Sequence, residues 1–458
     1  MRGHGRFKPL CYISCILLLS LACLSSCSAP LRKPNIILIT IDALRQDHLS
    51  CYGYQRHTSP AIDKFANEAV VFTQSISQST LTMPSLASLI TSVYPTKHGI
   101  AVQNADFGKL NYPTIIDILK GKGYMTAVFF PYGKIIADWF RKTTDYLFKY
   151  PYTRKNLEAF SNAPFLTSQA ITWIRRNCSS PFFAWIHYNE PHAPYTPPFP
   201  YNTLYLEDGL YNHSRKVSLG FNSAGLGGIP FKANLNNKED LDYYIAQYDG
   251  EIRYVDYWIG RLLDELKALR LYDGALIIIS ADHGEGFGEH NLYCEHGMFL
   301  YDELIKVPLI MKFPKHSPYT HMVVKKQVRL IDIMPTILSY LHCLAPKHID
   351  GMSLLSLMGS AHGVNNTPLA FSKVDSTNAI RSESWKLIYN EGTHRYELYN
   401  LKDDPGEQRN VYDGEQEVSK SLRNKLNSVL NTPAHLEKKS EIKDNDTKNF
   451  MKSLGYLQ

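Results

Sequence analysis

The chain has 458 residues, of which 44% are hydrophobic, 20% charged and 12% aromatic. This length and composition are typical of one large α/β domain or of two domains, and they exclude a chain that is disordered over most of its length. The formal charge of +6 falls to +3 once the three basic residues of the first 26 positions are set aside. A charge this small, without a Lys/Arg-rich run containing aromatic residues, excludes nucleic acid as the expected partner.

The first 26 residues have the pattern of a targeting segment. Three basic residues are followed by an apolar stretch over residues 10–24, which is too short for a comfortable membrane span. The small residues directly before Cys27 resemble the site at which bacterial lipoproteins are cleaved and acylated. We therefore expect a lipoprotein-type signal peptide and an exported protein, anchored to the membrane through a lipidated Cys27 and facing the periplasm or the cell exterior. An ordinary secretory signal or an uncleaved anchor gives a similar pattern.

Five short apolar runs predict β-strands that are buried on both faces. Continuous runs of this kind favour a parallel sheet covered by helices, because an exposed face would require alternating polar residues. A long helix is predicted just before the fourth run, because apolar residues recur there at three- and four-residue spacing. The runs are residues 35–41, 125–130, 182–186, 275–280 and 307–313, and the helix covers residues 241–266. The sequence therefore predicts a doubly wound α/β domain with helices on both faces.

The chain is expected to contain two parts after the signal segment. A catalytic domain over residues 27–345 includes a Gly- and Asn-rich insertion, residues 202–240, of the kind that forms either a lid or a mobile loop. Residues 346–458 are expected to form a smaller C-terminal α+β subdomain. Its antiparallel sheet would contain residues 385–389 and 397–401, and its charged tail after residue 433 is predicted to be helical.

Polar side chains follow two of the predicted strands. Asp42 ends the first run, and Asp282 with His283 ends the fourth. Because the carboxyl ends of parallel strands meet at one edge of a sheet, these side chains could bind one divalent cation. Thr82 precedes a segment that could open a helix, where an anion would be favoured. Each feature has a simpler interpretation, because Asp42 and Thr82 could both be helix caps.

Further motifs follow these residues in a fixed order along the chain. Together they resemble the sulfatase family of the alkaline phosphatase superfamily over residues 34 to the end, with Thr82-Met83-Pro84-Ser85 in the place of the family's Cys/Ser-x-Pro-Ser-Arg motif. The resemblance implies an alkaline-phosphatase-like fold and an ester hydrolase. The motifs are Asp42 with Leu44-Arg45, Asp47-His48-Leu49, Tyr94-Pro95, His98-Gly99, Asn189 to Tyr195, Tyr248 to Ile252, Asp282 to Glu285, His296-Gly297, Asp332 to Thr336, Asp350-Gly351 and Leu454 to Tyr456.

The same resemblance assigns roles to individual residues. It implies a metal site for one divalent ion, either Ca, Mg, Mn or Zn, and a nucleophile that also touches the ion. It places two histidines near the substrate oxyanion or leaving group and two more in substrate-binding positions, and it implies that Arg45 and Asp47 fix the loop that carries Asp42. The metal ligands are Asp42, Asp282, His283 and Thr82; the catalytic residues are Thr82, His192 and His296; the substrate-binding residues are His98 and His187.

Two positions depart from the family pattern. Sulfatases oxidise Cys or Ser to formylglycine, and Thr82 cannot form that aldehyde; the Arg of the motif is Leu86 here. Thr in this position resembles superfamily members that transfer a phosphoryl group through a phosphothreonine. We therefore expect a metal-dependent hydrolase that favours phosphate esters over sulfate esters, acting on a small-molecule, glycan or lipid ester. A phosphoryl transferase for a membrane glycan or lipid, and a binding protein without catalytic activity, are the alternatives. The oligomeric state stays open.

Overall fold

A sheet of eight strands lies at the centre of the described part of the chain. The computed structural model describes residues 33–103, 110, 112–131, 140, 143–149, 162–220, 226–359 and 368–431. The strand order is β10-β2-β9-β6-β1-β5-β3-β4, and only β9 runs against its neighbours. The strands are β1 (Ile36–Ile41), β2 (Val70–Ile76), β3 (Met125–Phe130), β4 (Tyr146–Lys149), β5 (Phe182–Tyr188), β6 (Leu276–Ala281), β9 (Lys306–Lys312) and β10 (Met322–Arg329). The predicted, mostly parallel α/β sheet is confirmed.

The three strands at the middle of the sheet are built almost entirely from apolar residues. Every residue of β1, β5 and β6 is buried, because helices cover both faces of the sheet at this point. Parallel pairing of β1 with β5 on one side and with β6 on the other sends all three carboxyl ends to the same edge. That edge therefore receives the polar residues that follow these strands.

The fifth predicted strand, β9, was expected to be parallel to its neighbours but is antiparallel to them. β9 is antiparallel to both β2 and β6. Burial on both faces requires an apolar run whichever way a strand points, so the run predicts the strand and not its direction. Three strands of this sheet were not predicted from the sequence, namely the short edge strand β4 and the longer strands β2 and β10. The two longer strands share one feature. Both contain polar residues in the middle, Thr73 and Gln74 in β2 and Lys325 and Lys326 in β10, where the side chains are only partly covered.

Helices surround the sheet, and the longest of them, α6, confirms the predicted helix over residues 241–266. Asp240 caps α6, because its carboxylate accepts hydrogen bonds from the backbone N–H groups of Asp242 and Tyr243. The helices are α1 (Pro60–Ala66), α2 (Thr82–Thr91), α3 (Pro95–His98), α4 (Ile115–Gly121), α5 (Ala163–Asn177), α6 (Leu241–Ala268), α7 (Asp302–Ile305), α8 (Ile333–Tyr340), α9 (Leu355–Gly359) and α10 (Gln416–Leu430). Within the ranges given above, no helix has the length and apolar character needed to cross a membrane.

A second, antiparallel sheet follows the main one in sequence, which confirms the expected C-terminal subdomain. Its strands are β11 (Ala370–Val374), β12 (Thr377–Arg381), β13 (Trp385–Asn390) and β14 (Arg395–Asn400), and the short hairpin strands β7 (Gly286–Phe287) and β8 (Tyr293–Glu295) lie apart from both sheets. The ammonium group of Lys386 is fully buried and lies 2.6 Å from Asp302 Oδ1 and 2.8 Å from Glu407 Oε1. This ion cluster joins β13 to α7. The boundary near residue 345 stays a prediction, and the predicted helical tail lies outside the described residues.

The insertion over residues 202–240 is tied to the main domain by charged contacts. Arg56 donates to Asp208 Oδ2 at 2.6 Å and to Asp249 Oδ2 at 2.8 Å. The carboxylate of Asp249, on α6, also contacts His48 Nδ1 at 2.7 Å. A short turn, Phe231–Ala233, interrupts the otherwise irregular backbone of the insertion in the part that is described.

Candidate active site

Two buried aspartates lie side by side at the carboxyl edge of the main sheet. Asp42 follows β1 and Asp282 follows β6, and the paired ends of these strands bring the two carboxylates together. The N–H groups of Ala43 and His283 donate to Asp282 Oδ1 at 3.2 and 2.9 Å. Asp282 Oδ2 accepts no hydrogen bond from the described residues. Burial, and then the negative charge of Asp282, raise the pKa of Asp42 well above its usual range.

The imidazole of His283 faces both carboxylates. Its Nε2 lies 3.4 Å from Asp42 Oδ1 and 3.5 Å from Asp282 Oδ2. Its Nδ1 lies 2.9 Å from the carbonyl oxygen of Gly284, which can only accept, so Nδ1 carries a proton and Nε2 faces the aspartates. Burial acts against the charged ring, but the negative charges of Asp282 and Asp42 raise the pKa of His283 above its usual value. Gly284 is required here, because a Cβ atom would lie 2.0 Å from the carbonyl oxygen of Glu303.

His187 joins the same group from β5. Its Nδ1 lies 2.8 Å from Thr40 Oγ1, and its Nε2 lies 3.8 Å from Asp42 Oδ2. The ring is fully buried and stacks on Phe130 with ring centroids 4.7 Å apart. One ligand atom each from Asp42, His187 and Asp282 lie within 4.8 Å of one another. The sequence suggested a substrate contact for His187, whereas this position inside the sheet suits a metal ligand.

Thr82 presents its hydroxyl to this group. It is the first residue of α2, and its Oγ1 lies 3.3 Å from His283 Nε2. The N-cap position belongs to Leu81 and no side chain caps the helix, so the alternative in which Thr82 serves as the cap does not hold. Ser85, one turn further along α2, donates to the carbonyl oxygen of Asp282 at 2.7 Å and fixes the helix against the end of β6.

These side chains fit a divalent cation. Two carboxylates, two imidazoles and a hydroxyl are oxygen and nitrogen donors that Mg, Mn, Ca and Zn accept in proteins. Two ionised carboxylates this close repel each other in a buried setting, and a positive ion removes the repulsion. Asp282 Oδ2 accepts no hydrogen bond from the described residues, so this oxygen is available to bind the ion. Asp42, Asp282, His283, His187 and Thr82 are the residues that would hold the ion.

A second wall of the site contains two further histidines and a carboxylate. His296 Nδ1 lies 3.2 Å from Glu285 Oε1, and Tyr195 donates to the other oxygen of Glu285 at 3.0 Å. The ring of His296 lies 4.3 Å from that of His283 and 4.9 Å from that of His192, measured between centroids. His192 Nδ1 donates to the carbonyl oxygen of the next residue at 2.7 Å. His192 and His296, both predicted from the sequence, are thus brought to the side of His283.

Lys232 reaches this wall from the insertion. Its Nζ donates to Glu295 Oε1 at 2.8 Å, and the backbone N–H of His296 donates to the same oxygen at 3.1 Å. Burial lowers the pKa of His296 well below its usual range, and the positive charges of His283 and Lys232 lower it further. The sequence analysis missed Lys232, because no motif surrounds it, and assigned no role to Glu285 or Tyr195 although both lie in the family motifs.

His98 is not part of the group. Its Nδ1 accepts a hydrogen bond from the N–H of Ile100 at 3.0 Å, and its Nε2 lies 2.9 Å from Ser88 Oγ. Burial lowers the pKa of His98 to about 3, so the ring is neutral and Nε2 carries the proton toward Ser88. Both ring nitrogens are therefore engaged at the end of α2, outside the group around Asp42, and the substrate-binding role of His98 stays a prediction.

Arg45 fixes the loop that carries Asp42, as the motif implied. Its guanidinium binds Asp47 through two hydrogen bonds of 2.9 and 2.7 Å and contacts Glu289 Oε1 at 2.5 Å. The buried hydroxyl of Tyr248 accepts from the N–H of Arg45 and donates to the carbonyl oxygen of Ala43. Contacts with Glu289, in the β7–β8 hairpin, and with Tyr248, on α6, therefore hold the loop in place.

The fold and the site together define the alkaline-phosphatase-like class of α/β ester hydrolases. A family model described as Sulfatase matches residues 34–343, and one described as N-sulphoglucosamine sulphohydrolase, C-terminal, matches residues 288–432. The chain therefore belongs to the sulfatase family and is a hydrolase of sulfuric or phosphoric esters.

Among its relatives, the chain is 24% identical over 527 residues to the N-acetylglucosamine-6-O-sulfatase of Bacteroides thetaiotaomicron, which covers 94% of this chain and 91% of that one. It is 26% identical over 357 residues to the ulvan-active sulfatase of Formosa agariphila, which covers 71% of this chain and 65% of the relative. The phosphonate monoester hydrolase of Agrobacterium radiobacter has the same fold, with a TM-score of 0.69 and 22% identity over 87% of this chain and 95% of that one.

Replacing one of the two aspartates tests the metal site. We expect Asp42→Asn to lose one equivalent of bound divalent ion, because the variant lacks one carboxylate ligand. In EDTA the variant should unfold at a higher temperature than the wild type, because the repulsion between two buried carboxylates is gone. Elemental analysis and thermal unfolding measure the two effects. Asp273→Asn, which changes an exposed carboxylate, is the control; wild-type metal content in Asp42→Asn would contradict the assignment.

Proposed function

We propose that this chain is a metal-dependent hydrolase that cleaves phosphate or phosphonate esters through Thr82 as the nucleophile. The observation that carries the proposal is the position of the Thr82 hydroxyl, fully buried and 3.3 Å from a nitrogen that faces two aspartates. A divalent cation bound to these aspartates would lower the pKa of the hydroxyl and neutralise the charge on the transferred group.

The reaction would proceed in two displacements. Thr82 Oγ1 attacks the phosphorus atom, the bond from phosphorus to the ester oxygen breaks, and the proton lost by the Thr82 hydroxyl passes to the leaving alkoxide. Water then attacks the phosphorus of the phosphothreonine, which releases phosphate or phosphonate and restores the hydroxyl. His192 and His296 are the proposed proton carriers, taking the proton of the Thr82 hydroxyl and passing it to the leaving oxygen. Nδ1 of each ring is engaged by Ala193 or Glu285 and burial lowers the pKa of both rings, so Nε2 is the nitrogen that can take a proton.

Phosphorus is favoured over sulfur because of the residue at position 82. The fold does not discriminate, since solved structures with this fold include a phosphonate monoester hydrolase and a protein in complex with its substrate D-glucosamine-2-N,6-O-disulfate. A threonine cannot provide the hydrated aldehyde through which formylglycine expels sulfate. Leu86, in the position of the family's Arg, packs in the apolar core instead of supporting a modified nucleophile.

Substitution of Thr82 tests the nucleophile. We expect Thr82→Ala to lose at least 1,000-fold in kcat on p-nitrophenyl phosphate, phosphodiester and phosphonate esters, since covalent catalysis of this kind contributes several kcal/mol to the barrier. Thr82→Ser should retain measurable turnover, because it keeps the hydroxyl. Mass spectrometry of acid-quenched wild type should find the transferred group on Thr82. Unchanged turnover by Thr82→Ala with bound metal would refute the mechanism, and turnover of sulfate esters alone would refute the choice of phosphorus.

Lys232 is the proposed cationic contact for the transferred group, opposite the metal site. Its charge acts on both histidines of the second wall. A charge-assisted hydrogen bond contributes about 1.5–3 kcal/mol, which corresponds to roughly 10- to 100-fold in rate. We expect Lys232→Met to lower kcat/KM by that factor, and by more for a dianionic phosphate monoester than for a monoanionic diester. Lys238→Met, an exposed lysine of the same insertion, is the control; equal loss in both variants would rule out a specific role.

We also propose that the protein is exported and anchored through a lipid on Cys27. The basic start, the apolar stretch and the small residues before Cys27 support this location. Cells expressing the full chain should incorporate labelled palmitate into the wild type and not into Cys27→Ser, which should leave the membrane fraction. A wild type without label would exclude the lipoprotein.

A further inference from the structure

Buried oxygen atoms gather at a second place, around the carboxylate of Glu251 on α6. Glu251 is 3% exposed, and its Oε1 accepts a hydrogen bond from the N–H of Thr196 at 2.9 Å. Its Oε2 is buried and has no hydrogen-bond partner within the described part of the chain. Burial, and then the negative charge of Glu190, raise the pKa of Glu251 well above its usual range. A second carboxylate therefore lies near Glu251.

Glu190 and Asn162 lie at the adjoining end of α5. Glu190 Oε1 accepts a hydrogen bond at 2.8 Å from the N–H of Ala163, the first residue of that helix. Asn162 precedes it and is 3% exposed, but its side chain does not cap the helix, and Asn162 Oδ1 has no hydrogen-bond partner among the described residues. A buried amide oxygen without a partner destabilises the fold unless something binds it.

The packing of the two helices brings Asn162 to the level of Glu251. α5 and α6 pack against each other and run in the same direction, since each leads into a strand of the parallel part of the sheet. Near the C-terminal ends of the two helices, the side chain of Arg175 donates to Glu265 at 2.7 Å. The two residues are 90 positions apart in the sequence. Counted back from this pair with the same offset of 90 residues, Asn162 falls level with Ile252, the neighbour of Glu251.

A shared proton does not account for this arrangement. Two carboxyl groups that share a proton approach within about 2.7 Å. Glu251 Oε2 has no acceptor or donor at hydrogen-bond distance in the described part of the chain, so a proton on it would also lack a partner. Carboxylate and amide oxygens are the ligands that Ca²⁺ takes in proteins, and two carboxylates balance its charge.

We propose that the side-chain oxygens of Glu251, Glu190 and Asn162 bind a hard divalent cation of the Ca²⁺ type, separate from the ion at Asp42 and Asp282. The proposal does not depend on the reaction assigned to the active site. An ion at this place would affect the active site by fixing the position of a loop. The loop over residues 190–196 begins at Glu190 and ends at Thr196, which binds Glu251. An ion here would therefore hold both ends of the loop that carries His192 and Tyr195.

Calcium binding in a protein without the active-site ion tests this proposal. In the Asp42→Asn variant, dialysed against EDTA and then titrated with CaCl₂, we expect one equivalent of Ca²⁺ to bind and the unfolding temperature to rise. Adding Glu251→Gln should weaken this binding at least tenfold and abolish the rise, because a carboxylate ligand is lost while Oε1 still accepts from Thr196. Asp264→Asn, which changes an exposed carboxylate of the same helix, is the matched control and, added to Asp42→Asn, should leave calcium binding unchanged.

Circular dichroism and gel filtration would verify that the double variant is folded. Two results would overturn the proposal: no calcium binding by Asp42→Asn, or equal binding by the double variant. A Glu251→Gln protein that is more stable than the wild type in EDTA and in calcium alike would also overturn it, because that result identifies a water molecule or a buried proton in place of the ion.

Discussion

The repulsion between two buried carboxylates is the constraint around which this site is organised. Parallel pairing of β1 and β6 in register forces the residues after their ends, Asp42 and Asp282, into contact at a point that water does not reach. Neither the hydrogen bonds to Asp282 Oδ1 nor a proton on the His283 ring supplies the two positive charges that would balance both carboxylates. A cation does, and its position would determine which hydroxyl is activated. Thr82 is the hydroxyl that α2 places there.

The sequence predicted the parts of the fold that depend on local pattern. Apolar runs on both faces predict central strands, and polar residues at their carboxyl ends predict a site, because sheet geometry brings these ends together. Asp42, Asp282 and His283 were found in this way, and the family motifs added Thr82, His192 and His296. The direction of β9 was not predictable from its run of apolar residues, and β2 and β10 were missed because their middle residues are polar.

Roles that depend on distant partners were not predictable from residue type. His98 and His187 look equivalent in the sequence, yet Ser88 and Ile100 occupy both nitrogens of one ring, whereas the other ring faces Asp42. Lys232 lies in an insertion without a motif and acquires its place only when the insertion folds against Glu295. In each case the deciding contact joins segments that no local periodicity connects.

The atom that this site attacks is decided by how the second half of the reaction can proceed. A formylglycine nucleophile is a geminal diol, so its remaining hydroxyl can expel sulfate by breaking a carbon–oxygen bond, and the sulfur atom is never attacked twice. Thr82 has a single oxygen and a methyl group on the same carbon, so that route is closed. On the proposed mechanism its ester would be released by a second attack on the transferred atom, and a phosphoryl group accepts such an attack. The core position of Leu86 fits this conclusion, because no modified residue needs an arginine there.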